Sequence, residues 1–379
     1  MNFEKLDDYL DSLGEKGIPA CDCLVYLNHK PVFRHMQGFS DGQKTKPTSE
    51  RDLYWLYSAT KVITCTSAMQ LVEKALLRLN DPVSRYLPSY GNLQVRHGGG
   101  VEPAERAMTI RDLFTMCGGL DYNVGILSIR KVLEHTGNKA TTREIVDAIA
   151  CEPLSFEPST HFQYSLCHDV LGAVIEVVSG KSLGQYMKEH IFEPLGMADT
   201  GFGLNAEQQS RRAALYAYDE ATGKSKEISP VNEYQLSDRY ESGGAGLTSS
   251  VNDYILFADA LCNEGIGVTG KQILSKGSID LMRKDQLIGE CVADFALLGK
   301  IGYSYGLGVR TLVDKAISHS RSPIGEFGWD GAAGAYVMID PTNHLALFYA
   351  QHVLNCHHAF QEIHPAIRNM VYDALEIED

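Results

Sequence analysis

Tyr57-Ser58-Ala59-Thr60-Lys61, running into Val62-Ile63, is the stretch on which the reading of this chain turns. Residues at i and i+3 project from one side of a helix, so Lys61 Nζ can lie within hydrogen-bond reach of Ser58 Oγ and take its proton. Val62, Ile63, Ala68, Met69, Leu71 and Val72 give the helix an apolar face. A lysine walled in by such residues is partly desolvated, which favours its neutral, basic form. The first turn of a helix also brings backbone N–H groups and the positive end of the dipole to any negative charge developing beside Ser58. One turn can thus supply nucleophile, base and half of an oxyanion site. The structural alternative is an N-cap serine beside a snorkelling lysine. A second pair at the same spacing, Ser128-Ile129-Arg130-Lys131, sits in a polar, mixed-charge segment and reads as a solvated helix face.

Two further clusters stand far downstream. Phe156-Glu157-Pro158-Ser159-Thr160-His161-Phe162-Gln163-Tyr164-Ser165 is a proline turn leading to a tyrosine just ahead of a helix that begins near Cys167. A phenol at a helix N-terminus and near a lysine is expected to have its anionic form favoured. Phe327-Gly328-Trp329-Asp330-Gly331-Ala332-Ala333-Gly334-Ala335-Tyr336 is a strand unusually rich in small residues, which lets an acyl group lie against it and leaves an N–H free to face a site.

Around these clusters, helical spacing covers residues 3 to 13, 58 to 79, 109 to 117, 142 to 150, 167 to 192 and 250 to 263. A hairpin is predicted from Cys23–Leu27 and Val32–Met36 about the turn Asn28-His29-Lys30-Pro31. Strand periodicity returns in Tyr305–Thr311, Gly325–Trp329, Ala332–Ile339 and Leu345–Ala350, and a last helix ends near Leu375 with Pro365 in its first turn. Strands at both ends around a helical middle predict an α+β architecture: one antiparallel sheet built from both termini with flanking helices, and an inserted, mainly helical lobe. The boundaries read as 1–57 and 300–379 for the sheet lobe and 58–299 for the helical lobe, with the site in the cleft between them.

The 379 residues exceed one typical core, and a net charge of −14 without a basic cluster argues against nucleic acid and against an anionic membrane surface. The first residues carry acids and no continuous apolar run, so no export signal is expected, and no segment approaches a membrane span. Nine cysteines, odd and scattered, suit a reducing cytoplasm better than a disulfide framework. Cys21-Asp22-Cys23 has no second pair at ligand spacing, and no metal or cofactor is expected.

Taken in order, the motifs resemble the serine β-lactamase and penicillin-recognising family, in the branch that holds class C β-lactamases, D-alanyl-D-alanine carboxypeptidases, D-aminopeptidases and the β-lactamase-like esterases. The S-x-x-K box is Ser58 to Lys61, the tyrosine box is Tyr164-Ser165-Leu166, and the third box falls at Trp329-Asp330-Gly331. Between them lie Leu79-Asn80-Asp81-Pro82-Val83, Thr109-Ile110-Arg111-Asp112-Leu113-Phe114, Ile191-Phe192-Glu193-Pro194-Leu195-Gly196-Met197 and Gly243-Gly244-Ala245-Gly246-Leu247-Thr248-Ser249. The resemblance implies a β-lactamase/transpeptidase-like fold and two-step acyl transfer. In it Ser58 is the nucleophile, Lys61 and Tyr164 shuttle protons, and the N–H groups of Ser58 and Ala332 form the oxyanion hole.

Two positions depart from the family pattern. Trp329 stands where lysine or histidine is usual, removing a cation that would hold a substrate carboxylate, and Leu166 stands where asparagine would reach an acyl amide. Both changes favour an apolar acyl group, so an esterase or related acyl hydrolase of small acyl substrates is expected ahead of a β-lactamase or a D-Ala-D-Ala carboxypeptidase. Trp329, Asp330, Gly331 and Leu166 are the predicted substrate contacts. Asp330 is open to two readings, a receptor for a substrate amine or a strand-end aspartate bonded to backbone. A penicillin sensor that acylates once and stops is a further alternative. Specificity is assigned to loops near 118 to 140, 199 to 240 and 285 to 303, where Tyr122, Tyr240, Phe295 and Tyr303 are candidate pocket residues; the oligomeric state is not readable.

Overall fold

The computed structural model describes residues 1–377. Its main sheet has seven antiparallel strands: β1 (Ala20–Leu27), β2 (Lys30–Gly38), β3 (Tyr303–Tyr305), β4 (Arg310–Leu312), β5 (Phe327–Asp330), β6 (Tyr336–Asp340) and β7 (Leu345–Ala350). Their order across the sheet is β3-β4-β5-β6-β7-β1-β2, so the two chain ends meet where β1 pairs with β7, Asp22 opposite Ala350. The helices that matter for the site are α1 (Glu4–Ser12), α2 (Thr60–Glu73), α3 (Cys167–Ser179), α4 (Val251–Cys262), α5 (Glu290–Ala296) and α6 (His364–Leu375).

Alternation along the strands divides the sheet's two faces. Phe327, Trp329, Val337 and Ile339 join the large core shared with α2, α3 and α4. Tyr336, Met338, Leu345 and Leu347 join a second core under α1 and α6. The helix α4 lies inside the stretch 58–299, yet it packs on β7, β1 and β6. The boundaries at 58 and 300 therefore divide the sequence, while one helix of the middle segment belongs with the sheet.

Local differences from the predicted elements have steric causes. The hairpin turns on Asn28 and His29 alone, both in the left-handed region at φ 49° and 65°, the two-residue geometry that matches strand twist. Pro31 is thereby drawn into β2, an edge strand, where its missing N–H breaks no ladder. The run Tyr305–Thr311 is split because Gly308, at φ 85°, presses on α2: a Cβ there would meet Cys65 Sγ at 2.1 Å. The span 167 to 192 breaks at Gly180, whose left-handed φ of 70° caps α3. The glycine run His97-Gly98-Gly99-Gly100 joins two short strands, Gln94–His97 and Gly100–Pro103.

The helix α2 carries the central motif and is buried on every side, Thr60 through Leu71. Such a helix needs internal partners for its hydroxyls, and Thr66 and Ser67 donate to the carbonyls four residues back at 2.8 and 2.9 Å.

Candidate active site

Ser58 lies in a tight turn (Tyr57–Ala59) leading into α2. The turn is entered through Tyr57, a non-glycine residue at φ 45°, held there by burial against Trp55, Leu215 and Ala333. A left-handed tyrosine costs about 1–2 kcal/mol, and the packing around it offsets that strain. The result is a sharp bend that aims Ser58, 9% exposed, out of the start of the helix.

One turn on, Lys61 is wholly buried. Its Nζ lies 3.2 Å from Ser58 Oγ, 3.0 Å from Tyr122 Oη and 2.8 Å from the Gly244 carbonyl. Burial drives the lysine pKa down from its ordinary 10.5 to about 7, against the pull of the Asp169 carboxylate behind it. Asp169 accepts hydrogen bonds from Tyr240 Oη at 2.7 Å and Ser242 Oγ at 2.6 Å, and so fixes the segment 242–246 that presents Gly244 to the lysine. The glycines of that segment permit the approach, since a Cβ at Gly243 would fall 2.4 Å from the His168 carbonyl and one at Gly244 2.5 Å from Asp169 Oδ2.

Tyr164 completes the cluster from the segment ahead of α3. Its ring stacks on Tyr122 at 5.3 Å and on Trp329 at 5.6 Å, Lys61 Nζ lies 4.7 Å from the ring centre, and its hydroxyl is a hydrogen-bond neighbour of Ser58. Trp329 Nε1 donates to Tyr164 Oη at 2.9 Å. The expectation of a favoured phenolate is corrected here: desolvation raises the Tyr164 pKa and outweighs the bonds to Ser58 and Trp329 that lower it, so the phenol is neutral.

The third motif divides into roles its sequence did not reveal. Trp329 faces Ser58 and stacks edge-on against Tyr305 at 5.1 Å. Asp330, next along β5, points to the opposite face, pairs with Lys300 and lies 3.5 Å from Arg310 Nη1. Burial alone would raise its carboxyl; Lys300 and Arg310 bring it down to about 2. The reading of Asp330 as a substrate contact is therefore overturned by strand alternation, and its partners are side chains rather than the backbone. Gly331 is buried against the nucleophile turn, where a Cβ would sit 2.2 Å from the Leu56 carbonyl, so it is a packing glycine and not a ligand contact. Ala332, which follows that close approach, is exposed, and among the described residues its N–H donates to no backbone carbonyl. Leu166, 2% exposed, is in the core and offers no surface to a ligand, which corrects its placement among the substrate contacts.

Of the four aromatic pocket candidates only Tyr122 reaches the cluster. Tyr240 supports Asp169, Phe295 is packed between Phe162 and Tyr305, and Tyr303 lies on the far face bonded to Glu326. Tyr234, edge-on to Tyr122 at 5.2 Å, and Asp169 went unnoticed in the sequence; nothing around either residue marks it. The second S-x-x-K pair lies on a separate helix, Leu127–His135, where Lys131 is exposed. Among the described residues no group of three or more His, Cys, Asp or Glu is placed to hold a metal, and no helix is long and apolar enough to cross a membrane.

Ser58, the buried Lys61 and the neutral Tyr164 meet between the main sheet and the helices α2 and α3. The chain belongs to the Beta-lactamase family, which it matches over residues 6–368. It is 30% identical over 338 residues to Protein Rv1367c of Mycobacterium tuberculosis, spanning 86% of this chain and 84% of that one. Esterase EstB of Burkholderia gladioli is 29% identical over 370 residues, 89% of this chain and 86% of the relative. Among solved structures, EstCE1, a hydrolase with promiscuous acyltransferase activity, superposes with a TM-score of 0.80 at 23% identity over 98% of both chains, which establishes the shared fold.

Proposed function

We propose that this protein is a serine hydrolase that cleaves carboxylic esters or small acyl substrates through an acyl-Ser58 intermediate. The observation that carries this reading is the buried Lys61 amine, its pKa brought down to about 7, lying 3.2 Å from Ser58 Oγ. Neutral Lys61 accepts the proton as Ser58 Oγ adds to the carbonyl carbon. The carbonyl oxygen takes up the negative charge against the N–H groups of Ser58 and Ala332. The Tyr164 phenol gives its proton to the departing alkoxide and recovers one from Lys61 through the Ser58 neighbourhood. Water then attacks acyl-Ser58 along the same route in reverse, releasing the acid.

Trp329 supports esters over β-lactams. Its ring N–H is spent on Tyr164, and Lys300, 5.7 Å from the indole, is paired with Asp330, so neither is free to hold a substrate carboxylate. The esterase relative and the hydrolase structure agree with that preference. All nine cysteines are free and eight are buried, which suits a reducing compartment, and the cytoplasm is the proposed location.

The test is steady-state hydrolysis of a short-chain p-nitrophenyl ester beside a chromogenic cephalosporin. Sustained ester turnover with little cephalosporin cleavage is expected. Fast cephalosporin turnover would sink the ester preference, and a burst without turnover would favour a sensor. Trp329→Phe keeps the stacked ring and removes the donor to Tyr164, so kcat is expected to fall about 3- to 10-fold with KM little changed, the size of one hydrogen bond. An unchanged kcat would mean that the indole N–H does not position the phenol.

A further inference from the structure

Behind the third motif, on the face of the sheet turned away from Ser58, lies a cavity of about 560 Å³ between β4, β5 and β6 and the C-terminal helix α6. Its lining gathers Arg310 from β4, Arg368 from α6 and Lys300 from the loop before β3. Arg310 and Arg368 are only 2% and 3% exposed. A buried cation is costly unless it is paired, so the count of partners is informative. Among the described residues the carboxylates in reach are two: Asp330, which pairs with Lys300 and Arg310, and Glu326, 3.2 Å from Arg310 Nη2. His364 adds no charge, because burial brings its pKa down to about 3.

Three cations thus face two acids, and Arg368 is the one left over. Its Nε and Nη1 donate to Asn369 Oδ1 at 3.1 Å and Tyr303 Oη at 2.8 Å, both neutral acceptors, and its Nη2 is buried with no partner among the described residues. One turn earlier on α6, His364 Nδ1 makes no hydrogen bond among the described residues and lies 3.9 Å from Asp330 Oδ1, while Nε2 donates to the Gly334 carbonyl at 3.3 Å. The remaining wall is apolar. Phe360 lies beside Lys300 at 5.5 Å, and Ile301 and Ile317, 64% and 60% exposed, stand at the mouth.

The geometry points to a second ligand site here, one that takes a small organic carboxylate, its acid group set against the surplus charge of Arg368 and its apolar tail against Phe360, Ile301 and Ile317. The volume matches the small-molecule pockets of other proteins, and a lined wall with a few placed polar groups is their usual construction. Because Asp330 and Trp329 are adjacent on β5 and Lys300 Nζ lies 5.7 Å from the indole, an occupant here is separated from the Ser58 cleft by one strand. The site requires nothing of the ester chemistry proposed above.

Isothermal titration of hexanoate into the full-length chain, with hexanol and inorganic phosphate as comparisons, tests this directly. Saturable hexanoate binding is expected in the millimolar range or tighter, about ten-fold stronger than that of either comparison compound. Arg368→Gln is expected to weaken hexanoate about ten-fold. Should Arg368→Gln fail to fold, Ile317→Glu, an acid placed at an exposed mouth position, is expected to weaken it about as much without altering the melting temperature. Absence of saturation, equal binding of hexanol or phosphate, or hexanoate binding unaffected by the folded variants would overturn the site, the last by locating the acid elsewhere, such as in the Ser58 cleft.

Discussion

Ser58→Ala and Lys61→Met are each expected to lower kcat/KM for a p-nitrophenyl ester by at least about 10³-fold, because nucleophile and base act as one unit. The pH profile carries the sharper information. The base works when neutral, and the Lys61 pKa is near 7, so kcat/KM should rise with pH through about 7 and then level off. Tyr164 is raised above its ordinary value and stays protonated across that range, so no early alkaline fall is expected. The same lysine makes stability pH-dependent. Its folded pKa lies below the unfolded 10.5, so between about 7 and 10.5 the unfolded chain binds more protons and the unfolding free energy climbs with pH. Urea midpoints measured across that window should climb for the wild type and climb less for Lys61→Met. A rate profile with no inflection near 7, or identical pH slopes for the two proteins, would remove Lys61 from the role of base.

A single methyl group at position 331 is expected to cost about 10²-fold in kcat. A Cβ there falls 2.2 Å from the Leu56 carbonyl and 3.1 Å from Ala335 Cβ, and Leu56 is two residues before the nucleophile. The backbones of β5 and the Ser58 turn must separate, which moves the Ala332 N–H away from the developing oxyanion; losing one such donor costs 10²–10³-fold in comparable sites, about 3–4 kcal/mol. Overpacking of this size destabilises by about 1–3 kcal/mol, too little to unfold a chain of this length. Gly201→Ala serves as the control, because neither glycine has a positive φ and at Gly201 no atom stands within 4 Å of a Cβ. If Gly331→Ala retains full activity, Ala332 is not an oxyanion donor.

How much of this could be read from the sequence depended on range. Ser58 and Lys61 are joined by the geometry of one helical turn, and the structure places them as their spacing implies. Tyr164 and Trp329 were found through motif order, and they meet at 2.9 Å although 165 residues apart. Asp330 was misplaced because a motif is a string, whereas a strand sends neighbours to opposite faces. The phenolate was misjudged because the helix terminus and the lysine were counted and the loss of water was not. Tyr122 was legible only as one loop aromatic among four, while Tyr234 and Asp169, the latter in the first turn of α3, owe their roles to long-range packing that no local pattern announces.

The pairing of β1 with β7 carries a consequence for biosynthesis. Residues 20–38 leave the ribosome early but cannot enter the sheet until residues 345–350 have followed, and the Ser58 turn likewise waits for β5. The nascent hairpin exposes Cys21, Cys23 and Val25, all fully buried in the finished fold, for most of translation. The Ser58 site is therefore completed late in synthesis, and a polypeptide interrupted before residue 327 would hold the serine without β5 and the Ala332 N–H that follows it.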